Sequence, residues 1–185
     1  MSDLRLAPYP PGDELRRALR AALGRLGRPL RVLAEDVAGL EGAIDLVAAD
    51  PAGRVVLVLV GDAGGDLELV AHGLAQRAWL APRLGDWLKL APELDIRPQE
   101  AIELLLLAPE FGARARAAAR AADPEGISLA RLRFVADGQA PGRPLLERLE
   151  APGGGRRRSG PPPARSIFRT GLADADLAVG GSGLA

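Results

Sequence analysis

Side chains able to bind a divalent metal are concentrated between residues 35 and 72. The group is Glu35, Glu41, Asp45, Asp62, Asp66 and Glu68, followed by the only histidine of the chain, His72. One histidine with two carboxylates can hold a transition metal. However, Asp62 and Asp66 lie in a glycine-rich segment where aspartate favours turns, and Asp66 suits the N-cap of a following helix. A lone histidine on a helix is usually solvated or held by one hydrogen bond. We therefore expect no metal site here.

Asp45 is set apart by its place in a predicted hairpin. Three strand-like runs span Leu30–Glu35, Ala43–Ala49 and Arg54–Val60. The last two are joined by Asp50-Pro51-Ala52-Gly53, which favours a type I turn. The uniformly apolar run VVLVLV predicts a central strand that is buried on both faces.

The remaining pattern predicts helices on either side of this sheet. The predicted helices are Asp13–Leu26, one starting at Leu67, a short one at Arg83–Leu90, and Ala113–Ala122. Glu103–Ala108 predicts a buried strand, and the alternation over Ser128–Val135 predicts an edge strand with one wet face. Pro144–Glu150 is expected to form one or two helical turns. The fold class is α/β, a mixed sheet with flanking helices in the order α-β-β-β-α-β-α-β.

The central segment carries a recognisable motif order. It reads Gly42-Ala43-Ile44-Asp45-Leu46, a turn, the apolar strand Val55–Val60, and then a helix with His72 and Gln76. This layout resembles the PD-(D/E)xK nuclease superfamily, in particular bacterial endonuclease-like domains that read G-x-I-D-L, turn, V-V-x-E-x-K and a Q-x-x-x-Y helix. The resemblance covers roughly residues 13–135 and implies a restriction-endonuclease-like core.

The resemblance also implies where a catalytic site would stand. In the family, an Asp on one hairpin strand and a Glu on the next bind a divalent metal, and a Lys two residues further orients the attacking water. Asp45 matches the aspartate, but the Glu and Lys positions are Val58 and Val60. The Gln and Tyr positions are His72 and Gln76. Asp45 is therefore expected to be vestigial, with no cofactor.

Composition limits the remaining possibilities. The chain has no cysteine, which excludes disulfides and thiolate metal sites, and no apolar run of membrane-spanning length. We expect a cytoplasmic protein with no membrane partner. Its formal net charge is zero; residues 151–185 hold five Arg and two Asp, a net +3, which leaves −3 on residues 1–150. A body of this charge predicts weak nucleic-acid binding at most.

The sequence changes character after residue 150. Residues 151–185 contain GGG, PPP and GGSG and are expected to form a disordered tail after a domain at 1–150. A short segment, 165–177, holds four large apolar side chains: Ile167, Phe168, Leu172 and Leu177. Such a segment is typical of a motif that orders on a protein partner, and packing on its own domain is the alternative.

These observations favour a nuclease-like domain that no longer catalyses and serves a binding or assembly role, with a protein partner engaged through the tail. Two alternatives stay open. One is a Mg²⁺-dependent nuclease with a rearranged site around Asp45, His72 and the neighbouring carboxylates. The other is a nucleic-acid-binding module that does not cleave.

Overall fold

A computed structural model describes residues 5–26, 29–136 and 142–149. The predicted tail, including Ile167, Phe168, Leu172 and Leu177, lies outside these residues. Seven strands form one sheet: β1 Arg5–Ala7, β2 Arg31–Gly39, β3 Gly42–Ala49, β4 Val55–Val60, β5 Glu103–Ala108, β6 Ile127–Ala136 and β7 Arg143–Arg148. Four α-helices accompany them: α1 Gly12–Ala22, α2 Asp66–Leu80, α3 Leu84–Leu90 and α4 Ala113–Ala122. Short 3₁₀ turns span Leu23–Leu26, Ala81–Arg83 and Pro92–Leu94.

The sheet is mixed, and its central strands are parallel. Strands β2, β3 and β4 pair antiparallel in sequence order, and β4, β5 and β6 are parallel neighbours. Both β1 and β7 pair antiparallel with β6. Phe134 and Val135 of β6 have a partner in each of them, so β1 and β7 lie on opposite sides of β6. The long outer edges of the sheet are therefore β2 and β7.

The helices cover the two faces of the sheet unequally. Helix α1 packs on one face, where Leu19 and Leu23 join a buried cluster with Leu46, Val58 and other strand residues. Helices α2, α3 and α4 contribute to a larger cluster on the other face. Residues 55–59 of β4 and all of β5 are buried, because both strands are covered on both faces. No helix in the described ranges is long and apolar enough to cross a membrane.

Two aspartates fix the connections that set strand register. Asp50 Oδ1 accepts the N–H groups of Ala52 and Arg54 at 2.9 and 3.0 Å, which holds the turn between β3 and β4. Asp123 follows α4, accepts the Gly126 N–H at 2.8 Å and pairs with Arg77 at 2.7 Å. These two partners, the backbone N–H first, lower the pKa of Asp123 below its usual value.

The predicted fold class is confirmed, and the structure corrects three details. The predicted element order omitted β1 and β7. Pro144–Glu150 is not helical, since Arg143–Arg148 forms β7. Strand β6 is not an edge strand, because it is paired on both sides. The arginines of its alternating pattern form ion pairs with carboxylates: Arg131 binds Glu147, and Arg133 binds Glu110.

Candidate functional site

Asp45 lies where strands β3 and β4 separate. The last paired residues of this ladder are Leu46 and Val58. Beyond them, Asp45 Oδ2 accepts the N–H of Val60 at 2.8 Å. A backbone N–H near the protein interior needs an acceptor. The carboxylate therefore takes the place of the backbone carbonyl that the next ladder position would have supplied.

Val58 and Val60 lie on the face of the sheet that α1 covers. Val58 is fully buried in the cluster that contains Leu19 and Leu23, and Val60 packs at the rim of the same cluster. Residues two apart on a strand share a face, so both valines are turned toward α1. This face offers apolar contacts at the two positions where the resemblance places a second carboxylate and a lysine.

Two charged residues act on Asp45: Arg16 of α1 and Asp36 of β2. Arg16 pairs with Asp13 at 2.6 Å and Asp36 at 3.5 Å, and its side chain is only 16% exposed. Burial raises the pKa of Asp45, while the Val60 N–H and the positive charge of Arg16 act against this rise and Asp36 adds to it. The hydrogen bond that Arg16 donates to the Asp13 carboxylate raises the pKa of Arg16. The sequence does not single out Arg16, which is one of three arginines of α1.

Gln76 holds the turn between β2 and β3, and His72 lies beside it on α2. Gln76 is fully buried; its Oε1 accepts the Leu40 N–H at 3.0 Å, and its Nε2 donates to the Leu40 carbonyl at 2.6 Å. His72 Nε2 lies 3.3 Å from Gln76 Nε2. A Cβ on Gly39 would lie 2.0 Å from Gln76 Oε1, which explains the glycine. Gln76 therefore has its partners in the hairpin, whereas the polar contact of His72 is with Gln76 on the same helix.

The other carboxylates near Asp45 have separate partners. Glu35 forms an ion pair with Arg20 of α1. Asp66 is the first residue of α2, whose N-cap is Gly65, and its Oδ2 accepts the Gly112 N–H at 2.5 Å. Asp66 is thus the first residue of α2 and not its N-cap; its Oδ1 accepts the Leu67 N–H at 3.0 Å, while its Oδ2 binds the start of α4.

The structure also tests whether these residues fit a divalent metal. Within residues 5–26, 29–136 and 142–149, no three His, Asp or Glu residues are placed to hold one ion. At Asp45 itself, the carboxylate is bonded to the Val60 N–H and fully buried Val58 fills the second ligand position. The described residues do not fit the metal that the resemblance implies.

A groove lies at the carboxyl ends of β4 and β5. Its volume is about 540 Å³, and Tyr9, Asp62 and Phe134 are among its lining residues. Tyr9 donates to the Leu132 carbonyl at 3.0 Å and stacks edge-on against Phe134. Burial, and then the charge of Asp62, raises the pKa of Tyr9. Tyr9 and Asp62 are far apart in the sequence, and no local pattern indicates that they line one groove.

Comparisons with known proteins yield two structural neighbours. No family model and no curated protein matches the sequence. A repair endonuclease from Pyrococcus abyssi has a TM-score of 0.46 and 14% identity over 68% of this chain and 48% of its own. EndoMS in a complex with double-stranded DNA has a TM-score of 0.44 and 16% identity over 69% of this chain and 46% of its own. This chain therefore spans less than half the length of either neighbour.

Proposed function

We propose that this chain is a nuclease-like domain of the PD-(D/E)xK type that does not catalyse and serves a binding or assembly role. The observation that carries the proposal is the state of the hairpin. Asp45 is bonded to the Val60 N–H, and Val58 is sealed beneath α1. These side chains stabilise the end of a ladder rather than line an open site.

The chemistry of phosphodiester hydrolysis supports this proposal. Mg²⁺ keeps an octahedral shell and is held by one or two carboxylates together with water and substrate oxygens. The metal and a cation together activate water and stabilise developing charge. Here Asp45 is partly buried, and burial raises its pKa. The only lysine, Lys89, lies on α3 and pairs with Asp86 at 3.0 Å.

A cleavage assay tests the inactive state. Purified protein is incubated with single- and double-stranded DNA and RNA and with Mg²⁺ or Mn²⁺, beside Asp45→Ala and Asp86→Ala. Asp86 is an exposed aspartate of α3 and controls for the loss of one carboxylate. We expect all three proteins to lack activity above background. Activity that disappears only in Asp45→Ala would establish a working site and overturn the proposal.

The binding role is proposed to use a protein partner and the segment 165–177. This part rests on sequence: large apolar residues interrupt a Gly- and Pro-rich region. The test is a pull-down with the full chain, with a chain ending at residue 150, and with Phe168→Ser and Leu172→Ser combined. Arg169→Ser is the matched control. We expect a partner that the full chain and the control retain and the other two lose; equal retention by all four would exclude the segment.

A further inference from the structure

A second, smaller cavity lies near β6 and β7, at the end of the sheet away from β2. It is bounded by α4, the start of β6 and the end of β7, and its volume is about 160 Å³. This volume has room for several water molecules and is large enough for a tetrahedral phosphate group. Three arginines line it: Arg116, Arg120 and Arg148.

Two of these arginines lie on the same face of α4. Arg116 and Arg120 are four residues apart, so their side chains are neighbours, and like charges at this spacing repel each other. Neither makes an ion pair with any residue in the described part of the chain. By contrast, Arg77 of α2 and Arg131 of β6 each bind a carboxylate at 2.7 Å. A bound anion would relieve the repulsion on α4.

The third arginine is held by a hydroxyl group. Arg148 Nη2 donates to Ser128 Oγ at 3.1 Å, and Ser128 Oγ donates to Glu103 Oε1 at 3.1 Å. Since the Ser128 proton is directed toward Glu103, the hydroxyl oxygen accepts from Arg148. This relay of hydrogen bonds orients the guanidinium of Arg148 through one of its nitrogens. Glu125 also lines the cavity and opposes an anion, but three guanidinium groups outnumber it.

The wall behind the arginines is apolar. Ala119, Ile127 and Leu129 line the cavity and are almost fully buried. A ligand that fits both the arginines and the apolar wall carries a compact anionic group beside an apolar group. Guanidinium groups bind phosphate oxygens through paired, charge-assisted hydrogen bonds. We propose that this arginine cavity binds a phosphate monoester, with the phosphate on the three arginines and the organic group against the apolar wall. This proposal is independent of the inactive Asp45 position.

Calorimetric titration of the full chain tests the proposal. The probes are phenyl phosphate, inorganic phosphate and benzoate, each in low-salt buffer because added salt screens the arginines. We expect phenyl phosphate to bind more tightly than inorganic phosphate and benzoate. Arg116→Gln and Arg120→Gln should each weaken phenyl phosphate binding about tenfold, the effect of losing one charge-assisted hydrogen bond.

Arg114→Gln is the matched control, because Arg114 is an exposed arginine of the same helix that does not line the cavity. It should leave binding unchanged, and thermal melts of all variants should match the parent, since the three α4 arginines are exposed. No binding of phenyl phosphate at about 10 mM, a concentration at which even a millimolar Kd gives near-saturation, would overturn the proposal. An equal loss in Arg114→Gln would overturn it as well, because it would indicate general charge attraction. Tighter binding of benzoate would assign the cavity to carboxylates and refute the phosphate assignment.

Discussion

Replacing Asp45 with asparagine or alanine separates a structural carboxylate from a catalytic one. Asparagine keeps an oxygen that accepts the Val60 N–H, whereas alanine removes the acceptor. Asparagine also carries no charge, so it avoids the cost that burial imposes on the ionised side chain. We expect Asp45→Asn to be at least as stable as the parent at pH 7, and Asp45→Ala to be less stable.

The size of the alanine effect follows from one lost hydrogen bond. A donor left without a partner costs about 1 to 3 kcal/mol when it is buried. Val60 is only partly buried, so we expect the lower part of this range, about 1 to 2 kcal/mol. For a chain of this size each kcal/mol changes Tm by about 2–4 °C. Asp45→Ala should therefore melt about 2–8 °C below the parent.

The pH dependence of stability has a definite sign. Because the pKa of Asp45 is raised in the folded state, the folded protein binds more protons than the unfolded chain between the unfolded and folded pKa values. The free energy of unfolding of the parent therefore falls as pH rises through this window, which begins near the unfolded value of about 3.9. Asparagine does not ionise, so the stability of Asp45→Asn relative to the parent should increase from pH 4 to pH 7.

Urea unfolding of the three proteins at several pH values between 4 and 7 measures both effects. Asp86→Asn, a change at an exposed aspartate, controls for the loss of one negative charge. An equal loss of stability in Asp45→Asn and Asp45→Ala at pH 7 would refute a structural role for the carboxylate oxygen. A stability difference between the parent and Asp45→Asn that does not grow with pH would refute the cost of burying the charge.

Three further predictions concern other contacts of the fold. Gly39→Ala should cost about 1–3 kcal/mol through overpacking on Gln76, and a double-mutant cycle with Gln76→Ala should show that the cost shrinks when the amide is absent. Asp66→Ala should cost about 1 kcal/mol in thermal melts, because it removes the acceptor of the Gly112 N–H at the start of α4. Asp123 has a lowered pKa in the folded state, so its contribution to the free energy of unfolding is present above the unfolded pKa and is lost as pH falls through the folded value. Urea unfolding should therefore show Asp123→Asn to be less stable than the parent at pH 7, with the difference shrinking in acid.

The core strands could be predicted because a short, uniformly apolar run fits a strand only if the strand is buried on both faces. The apolar run Val55–Val60 is too uniform for a half-exposed strand, and it is central in the sheet. The prediction of an edge strand over Ser128–Val135 is wrong because it took Arg131 and Arg133 to face solvent. Their carboxylate partners, Glu147 and Glu110, are distant in sequence, so the local pattern does not indicate these ion pairs.

At the candidate site, too, some features follow from the local sequence and others depend on tertiary packing. Sequence spacing places Val58 and Val60 on one face, and the structure shows that α1 covers this face. The position of Arg16 beside Asp45 depends on how α1 crosses the sheet, which helical periodicity does not specify. The function of Gln76 depends equally on the hairpin turn folding back over α2. Tertiary packing, rather than local preference, decides the partners of such polar side chains.

Both outer strands of the sheet carry features that resist pairing with another chain. Strand β7 contains Pro144, which has no N–H to donate, and exposed charged residues such as Glu147. Strand β2 has an irregular register between Val32 and Ala34, and Asp36 has a left-handed backbone with φ of 51°. Proline, charge and irregular backbone at sheet edges oppose edge-to-edge aggregation. Concentrated solutions of this domain should therefore resist forming intermolecular sheets, and any assembly that it enters should use helical or loop surfaces.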